Sequence, residues 1–105
     1  MKASKNYRAE LIPALKDSQE AINYLNAALE EGDSRVFLAA LKDVAEAQGG
    51  LAKISRMAKL NRENLYRMLS KRGNPKLLGL GSLLDVMGFK LSIEAKTTAR
   101  AHAHA

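Results

Sequence analysis

Apolar positions along this chain form runs with helical spacing, followed by one run that alternates. The densest pattern lies in residues 51–69, LAKISRMAKLNRENLYRML. There Leu51, Ile54 and Ala58 recur at i, i+3 and i+7, and Leu65, Met68 and Leu69 make a second stripe. Asn61 between them is suited to cap a helix start, because its side-chain oxygen can accept an orphan backbone N–H. Leu60 is the apolar plug expected to pin the corner to the core. The pattern predicts two short helices and a tight turn, which need a surrounding domain for support. So arranged they form a helix-turn-helix, whose second helix can enter a major groove.

Upstream, Asp17-Ser18-Gln19-Glu20 reads as a capping box, and Ile22, Leu25 and Leu29 carry helical spacing to Glu31. Gly32 ends that helix and Asp33 caps the next, whose expected buried face is Val36, Phe37, Ala40, Leu41 and Val44. Gln48-Gly49-Gly50 closes it, and Tyr24 and Phe37 read as packing residues. Residues 1–16 are weakly patterned, and Pro13 disfavours a helix running through from Arg8, so a flexible N-terminal arm is expected. Downstream of the turn-rich segment Ser70–Pro75, Leu77, Leu80, Leu83, Leu84 and Met87 predict a further helix ending at Gly88. Gly79 and Gly81 within it either lower its propensity, by about 1 kcal/mol each relative to alanine, or permit close helix approach.

Residues 89–96 change period. Phe89, Leu91, Ile93 and Ala95 alternate with Lys90, Ser92, Glu94 and Lys96, as in a strand. A lone strand leaves backbone groups unpaired, so Phe89, Leu91 and Ile93 are expected to meet a second copy across a two-fold axis or a strand of a partner protein. Residues 97–105 are small and polar and read as a disordered tail, in which His102 and His104 make a poor metal site without a fixed third ligand. The expected architecture is all-α: a small bundle of about five helices, with the helix-turn-helix and a short C-terminal β-strand in a domain over residues 17–96.

Charge sharpens this picture. The chain of 105 residues carries a net +6, divided as −2 over residues 1–49 and +8 over residues 50–105. Between Lys53 and Lys76 there are eight basic residues and one acid, Glu63. Solvated helix faces usually mix signs, so this asymmetry points to a polyanion, and with the helix pattern to double-stranded DNA. RNA is disfavoured by the absence of an aromatic stacking sheet. Cysteine is absent, which removes disulfides and thiolate metal sites. No apolar run is long enough for a membrane span, and Lys2, Lys5, Arg8, Glu10 and Pro13 interrupt any signal-peptide core. A cytoplasmic protein without cofactor, metal or membrane partner is expected. Catalysis is not, since both histidines lie in the tail and the acids never cluster around a base or nucleophile.

With the second helix starting at Arg62, its outward face is expected to carry Arg62, Glu63, Tyr66 and Arg67, with Leu65 and Leu69 inward. Arginine can bond guanine O6 and N7 in bidentate fashion, glutamate can accept from cytosine N4, and Asn64 could read adenine. Arg62 and Arg67 are the main expected readers, Tyr66 can stack on a sugar or bond a phosphate, and Glu63 can alternatively pair with Arg67 one turn on. Lys53, Lys59, Lys71, Arg72 and Lys76 would neutralise phosphates, with Asn61 capping the helix or touching a phosphate. The acids of the first half, Glu30, Glu31, Asp33, Asp43 and Glu46, could face a basic protein or simply be solvated.

Several blocks resemble a known family. Tyr24-Leu25, Glu30-Glu31-Gly32-Asp33, Phe37-Leu38-Ala39-Ala40-Leu41 and Asp43-Val44-Ala45 are similar to the addiction-module antidote family, HigA-like antitoxins with an Xre/Cro-type helix-turn-helix. The likeness continues through Leu60-Asn61-Arg62-Glu63-Asn64-Leu65-Tyr66, Gly73-Asn74-Pro75 and residues 83–92, covering about residues 18–94. It implies a lambda-repressor-like domain that binds and blocks a RelE/ParE-like toxin and represses its own operon as a homodimer on operator DNA. A stand-alone or phage-type repressor without a toxin is the alternative. Two positions depart from the family pattern. Lys59 occupies the turn position usually held by glycine, at a cost of about 1 kcal/mol in a left-handed conformation, and Ser55 replaces a small alanine-like residue.

Overall fold

The computed structural model describes residues 2–70 and 72–96, with side chains from Tyr7 onward. Their helices are α1 (Lys2–Ala14), α2 (Ser18–Glu30), α3 (Ser34–Ala47), α4 (Leu51–Met57), α5 (Arg62–Met68) and α6 (Leu77–Val86). Where an arm was expected over residues 1–16, residues 2–14 are helical. Pro13 lies next to the last residue of α1, so its missing N–H and ring disturb only the final turn. Leu11 and Ile12 pack against the core, Leu15 is buried, and Arg8 grips α3. These contacts offset the proline and bring the helix count above the expected five.

α2 and α3 form the principal packed pair. Asp17 caps α2 by accepting the Glu20 N–H at 2.9 Å, but the reciprocal half of a capping box is not made: the Asp17 N–H donates to the Ala14 carbonyl instead. The buried residues of α2 are Ala21, Leu25 and Ala28, while Leu29 is exposed. In α3 the buried face is Leu38, Ala40, Leu41, Val44, Ala45 and Ala47, and Val36 is exposed. The seam is thus rotated from the large-residue stripes towards alanines, which let the helix backbones approach. Asp33 caps α3 and also holds the Arg35 guanidinium at 3.0 Å.

Gly49 and Gly50 both take positive φ, 124° and 95°, and turn the chain sharply from α3 into α4. α4 ends in paired hydrogen bonds: the Leu60 N–H reaches the Ser55 carbonyl at 2.8 Å, and the Lys59 N–H reaches that of Arg56 at 3.2 Å. Asn61 then caps α5, accepting the N–H groups of Glu63 and Asn64 at 2.7 and 3.3 Å. Leu41, Leu65 and Leu83 are all fully buried, so α3, α5 and α6 share one core. On α6, a Cβ at Gly79 would meet the Met68 side chain at an ordinary 3.7 Å and one at Gly81 would meet open space, so neither glycine is required by a close helix approach.

The strand expected over residues 89–96 is not formed, and no strand occurs among the described residues. Phe89 folds back onto the core, its N–H bonded to the Leu84 carbonyl at 2.9 Å. Beyond it Leu91 and Ile93 are exposed. Alternation is only half of a strand; the other half is a ladder partner, and the described residues provide none. The expected tail, 97–105, lies outside the described residues.

Candidate nucleic-acid interface

α4 and α5 pack against one another, joined by the turn Ala58–Asn61. Leu65 and Leu69 face inward, as expected, and Met68 is half-buried. At about 100° per residue, Glu63 and Arg67 stand opposite that buried stripe. Arg62 and Tyr66 lie on one flank and Asn64 on the other, all exposed. Arg62 and Arg67 therefore diverge around the helix instead of sharing a single direction.

Each arginine is held by a neighbour one turn away. Arg62 Nη2 donates to the Tyr66 hydroxyl at 3.2 Å, with its guanidinium carbon 5.8 Å from the ring centroid. That hydrogen bond raises the Arg62 pKa above the ordinary arginine value. Arg67 Nη1 donates to Asn64 Oδ1 at 3.0 Å. The Glu63–Arg67 ion pair is not formed; the Arg67 guanidinium bonds Asn64. In this conformation that hydrogen bond lets Asn64 orient Arg67, and the side-chain NH₂ of Asn64 stays a donor. Asn61 spends its oxygen on the cap and keeps its side-chain NH₂ as a donor.

Lys53, Lys59, Arg72 and Lys76 are exposed, and none forms an ion pair among the described residues; Lys71 lies outside them. Arg56 was missed as a candidate. It is exposed on the last turn of α4, three residues after Lys53 and hence on the same face, a spacing already present in the sequence. Gly73 docks the loop bearing Arg72 and Lys76 against the end of α5, where a Cβ would collide with the Met68 carbonyl. Basic side chains from α4, α5 and this loop thus flank an exposed helix carrying two oriented arginines. Such a surface can neutralise phosphates and offer guanidinium groups to base edges.

The acidic half is differently employed. Arg8 bonds Asp43 and Glu46, each at 2.7 Å, and the Tyr24 hydroxyl donates to Asp43 at 2.8 Å. Burial, then the Asp43 contact, raises the Tyr24 pKa. The hydrogen bond to Asp43 raises that of Arg8, and the Arg35 side chain lowers that of Asp33. Of the acids that could meet a basic partner, Glu30 and Glu31 are without an ion pair among the described residues. No group of three or more His, Cys, Asp and Glu side chains among the described residues is placed to hold a metal ion, and no described helix is long and apolar enough to cross a membrane.

Residues 7–95 match the family described as "probable addiction module antidote protein". An uncharacterized protein of Haemophilus influenzae (strain ATCC 51907 / DSM 11121 / KW20 / Rd) is 31% identical over 80 residues, spanning 76% of this chain and 81% of that protein. No solved structure matches the chain.

Proposed function

The chain belongs to the addiction module antidote family, and from that premise we propose that it is the antitoxin of a type II toxin–antitoxin module. It binds and neutralises a RelE/ParE-like toxin, and it represses its own operon by sequence-specific binding to operator DNA. It does both by binding, without catalysis. The family match over most of the chain carries the antitoxin reading; the unpaired basic surface around α5 supports the operator reading.

On DNA, α4, the turn and α5 act as a helix-turn-helix with α5 in the major groove. Arg67 and Glu63, at the centre of the outward face, meet base edges, guanine for the arginine and cytosine N4 for the carboxylate. Arg62, steadied by Tyr66, reads from the flank, and Asn64 positions Arg67. Lys53, Arg56, Lys59, Lys71, Arg72 and Lys76 contact phosphates, joined by the Asn61 amide. One domain reads only a few base pairs, so two copies occupy a palindrome with their recognition helices about 34 Å apart. The exposed Leu91–Ile93 segment supplies the contact between copies by pairing with its symmetry mate. A monomeric mass by light scattering, with and without operator, would refute that pairing.

The deciding experiment is co-expression with the small basic RelE-like reading frame expected beside this one. Rescue of growth and co-purification of the two chains support the antitoxin reading. A toxin that remains active, beside a protein that still binds upstream DNA, would instead make this a stand-alone repressor.

A further inference from the structure

Tyr24, Ala27, Ala28 and Glu31 recur at i, i+3, i+4 and i+7 on one face of α2, and Val36, Ala39 and Ala40 recur at i, i+3 and i+4 on α3. The two faces line an open groove of about 610 Å³. Its origin is the alanine seam, whose side chains let the backbones approach but are too small to fill the space above them. Ala28 and Ala40 are buried in that seam, whereas Ala27, Val36 and Ala39 remain exposed, Val36 at 39%. Tyr24 forms part of the wall, and the hydrogen bond from its hydroxyl to Asp43 at 2.8 Å holds it in place.

The charge around the groove is of one sign. From Asp17 to Ala40 the chain carries Asp17, Glu20, Glu30, Glu31 and Asp33 against a single base, Arg35, a balance of −4. Asp33 holds that arginine in an ion pair at 3.0 Å, while Glu30 and Glu31 form none among the described residues. An apolar groove with an acidic edge complements a segment that is apolar on one side and carries Lys or Arg on the other. The groove lies along the first half of α3, whereas α4 follows the far end of that helix, and α2 packs principally on α3. A partner seated there leaves the basic surface around α5 uncovered. We propose that the α2–α3 groove is the toxin-docking surface: it seats a basic amphipathic segment of the toxin, with Val36 and Ala39 against its apolar side and Glu30 and Glu31 against its cations. This rests on the antitoxin reading.

The test uses the full chain and the purified product of the toxin reading frame, with affinity measured by biolayer interferometry at about 0.05 and about 0.5 M salt. Glu30→Lys/Glu31→Lys should weaken binding about tenfold at the lower salt and much less at the higher, because edge charges act mainly on encounter and are screened. Ala39→Trp, which fills the groove from an exposed position, should weaken binding about thirtyfold at both. Both variants should keep the wild-type thermal midpoint to within about 2 °C. Wild-type toxin affinity in both variants would overturn the proposal and leave the antitoxin reading standing. A lower mass of the free chain in either variant, by light scattering, would give the groove to a second copy and overturn it equally. A wild-type chain that does not bind the toxin would remove both readings together.

Discussion

Leu65→Ala tests whether α5 is carried by the core or merely rests on it. Leu65 is fully buried, on the same helix as the two arginines. Shortening it to alanine removes three carbons from the interior, about 2.4 kcal/mol at roughly 0.8 kcal/mol per methylene. The space left behind raises the cost to about 3–4 kcal/mol, because close-packed neighbours collapse only partly. Against the roughly 5–15 kcal/mol typical of a domain, that is a large fraction. The control is Leu78→Ala, the same substitution at a site 86% exposed, which should change stability by no more than about 0.5 kcal/mol. Urea unfolding followed by circular dichroism at 222 nm measures both. A loss below about 1 kcal/mol for Leu65→Ala, or equal losses at the two sites, would refute the placement of α5 against α4 and the shared core.

Three further outcomes are expected. Gly73→Ala should cost about 1–3 kcal/mol in the same unfolding assay and weaken DNA binding, because its Cβ would press on the Met68 carbonyl and lift the loop bearing Arg72 and Lys76. Arg8→Ala should destabilise by about 1 kcal/mol, more at low than at high salt, since Arg8 ties α1 to two carboxylates of α3 while remaining half-exposed. Tyr24 has a raised pKa in the folded chain, so its contribution is fully present below the unfolded value of about 10 and is lost as pH rises beyond it. Tyr24→Phe should therefore show a weaker fall in stability between pH 9 and pH 11 than wild type, measured by urea unfolding.

Local signals were the legible ones. Asn61, Leu60 and Leu65 marked the cap, corner and inward face of the α4–α5 unit from sequence alone, because each acts through its nearest neighbours along the chain. Asp17, Gly32 and Asp33 fixed helix ends for the same reason. The face of α3 was misjudged through Val36, since periodicity weighs large residues while the α2–α3 seam depends on alanines that bring backbones together. α1 escaped notice because its support is remote: Asp43 and Glu46 lie 35 and 38 residues from Arg8. The alternating 89–96 segment meets no ladder partner among the described residues, and alternation alone does not make a strand. On the surface, the basic side chains were countable, but the Arg62–Tyr66 and Arg67–Asn64 pairings depend on rotamers that spacing does not determine.

The central claim is that α5 recognises operator sequence, and binding to DNA from just upstream of the operon measures it most directly. Wild type and the Arg62→Ala/Arg67→Ala double variant would be titrated at two salt concentrations against that DNA and against a scrambled duplex. The account predicts tight, salt-sensitive binding by wild type to the upstream DNA, lost in the double variant while weak binding to the scrambled duplex persists. Equal, weak binding of wild type to both duplexes would contradict it, reducing the basic half to an electrostatic surface.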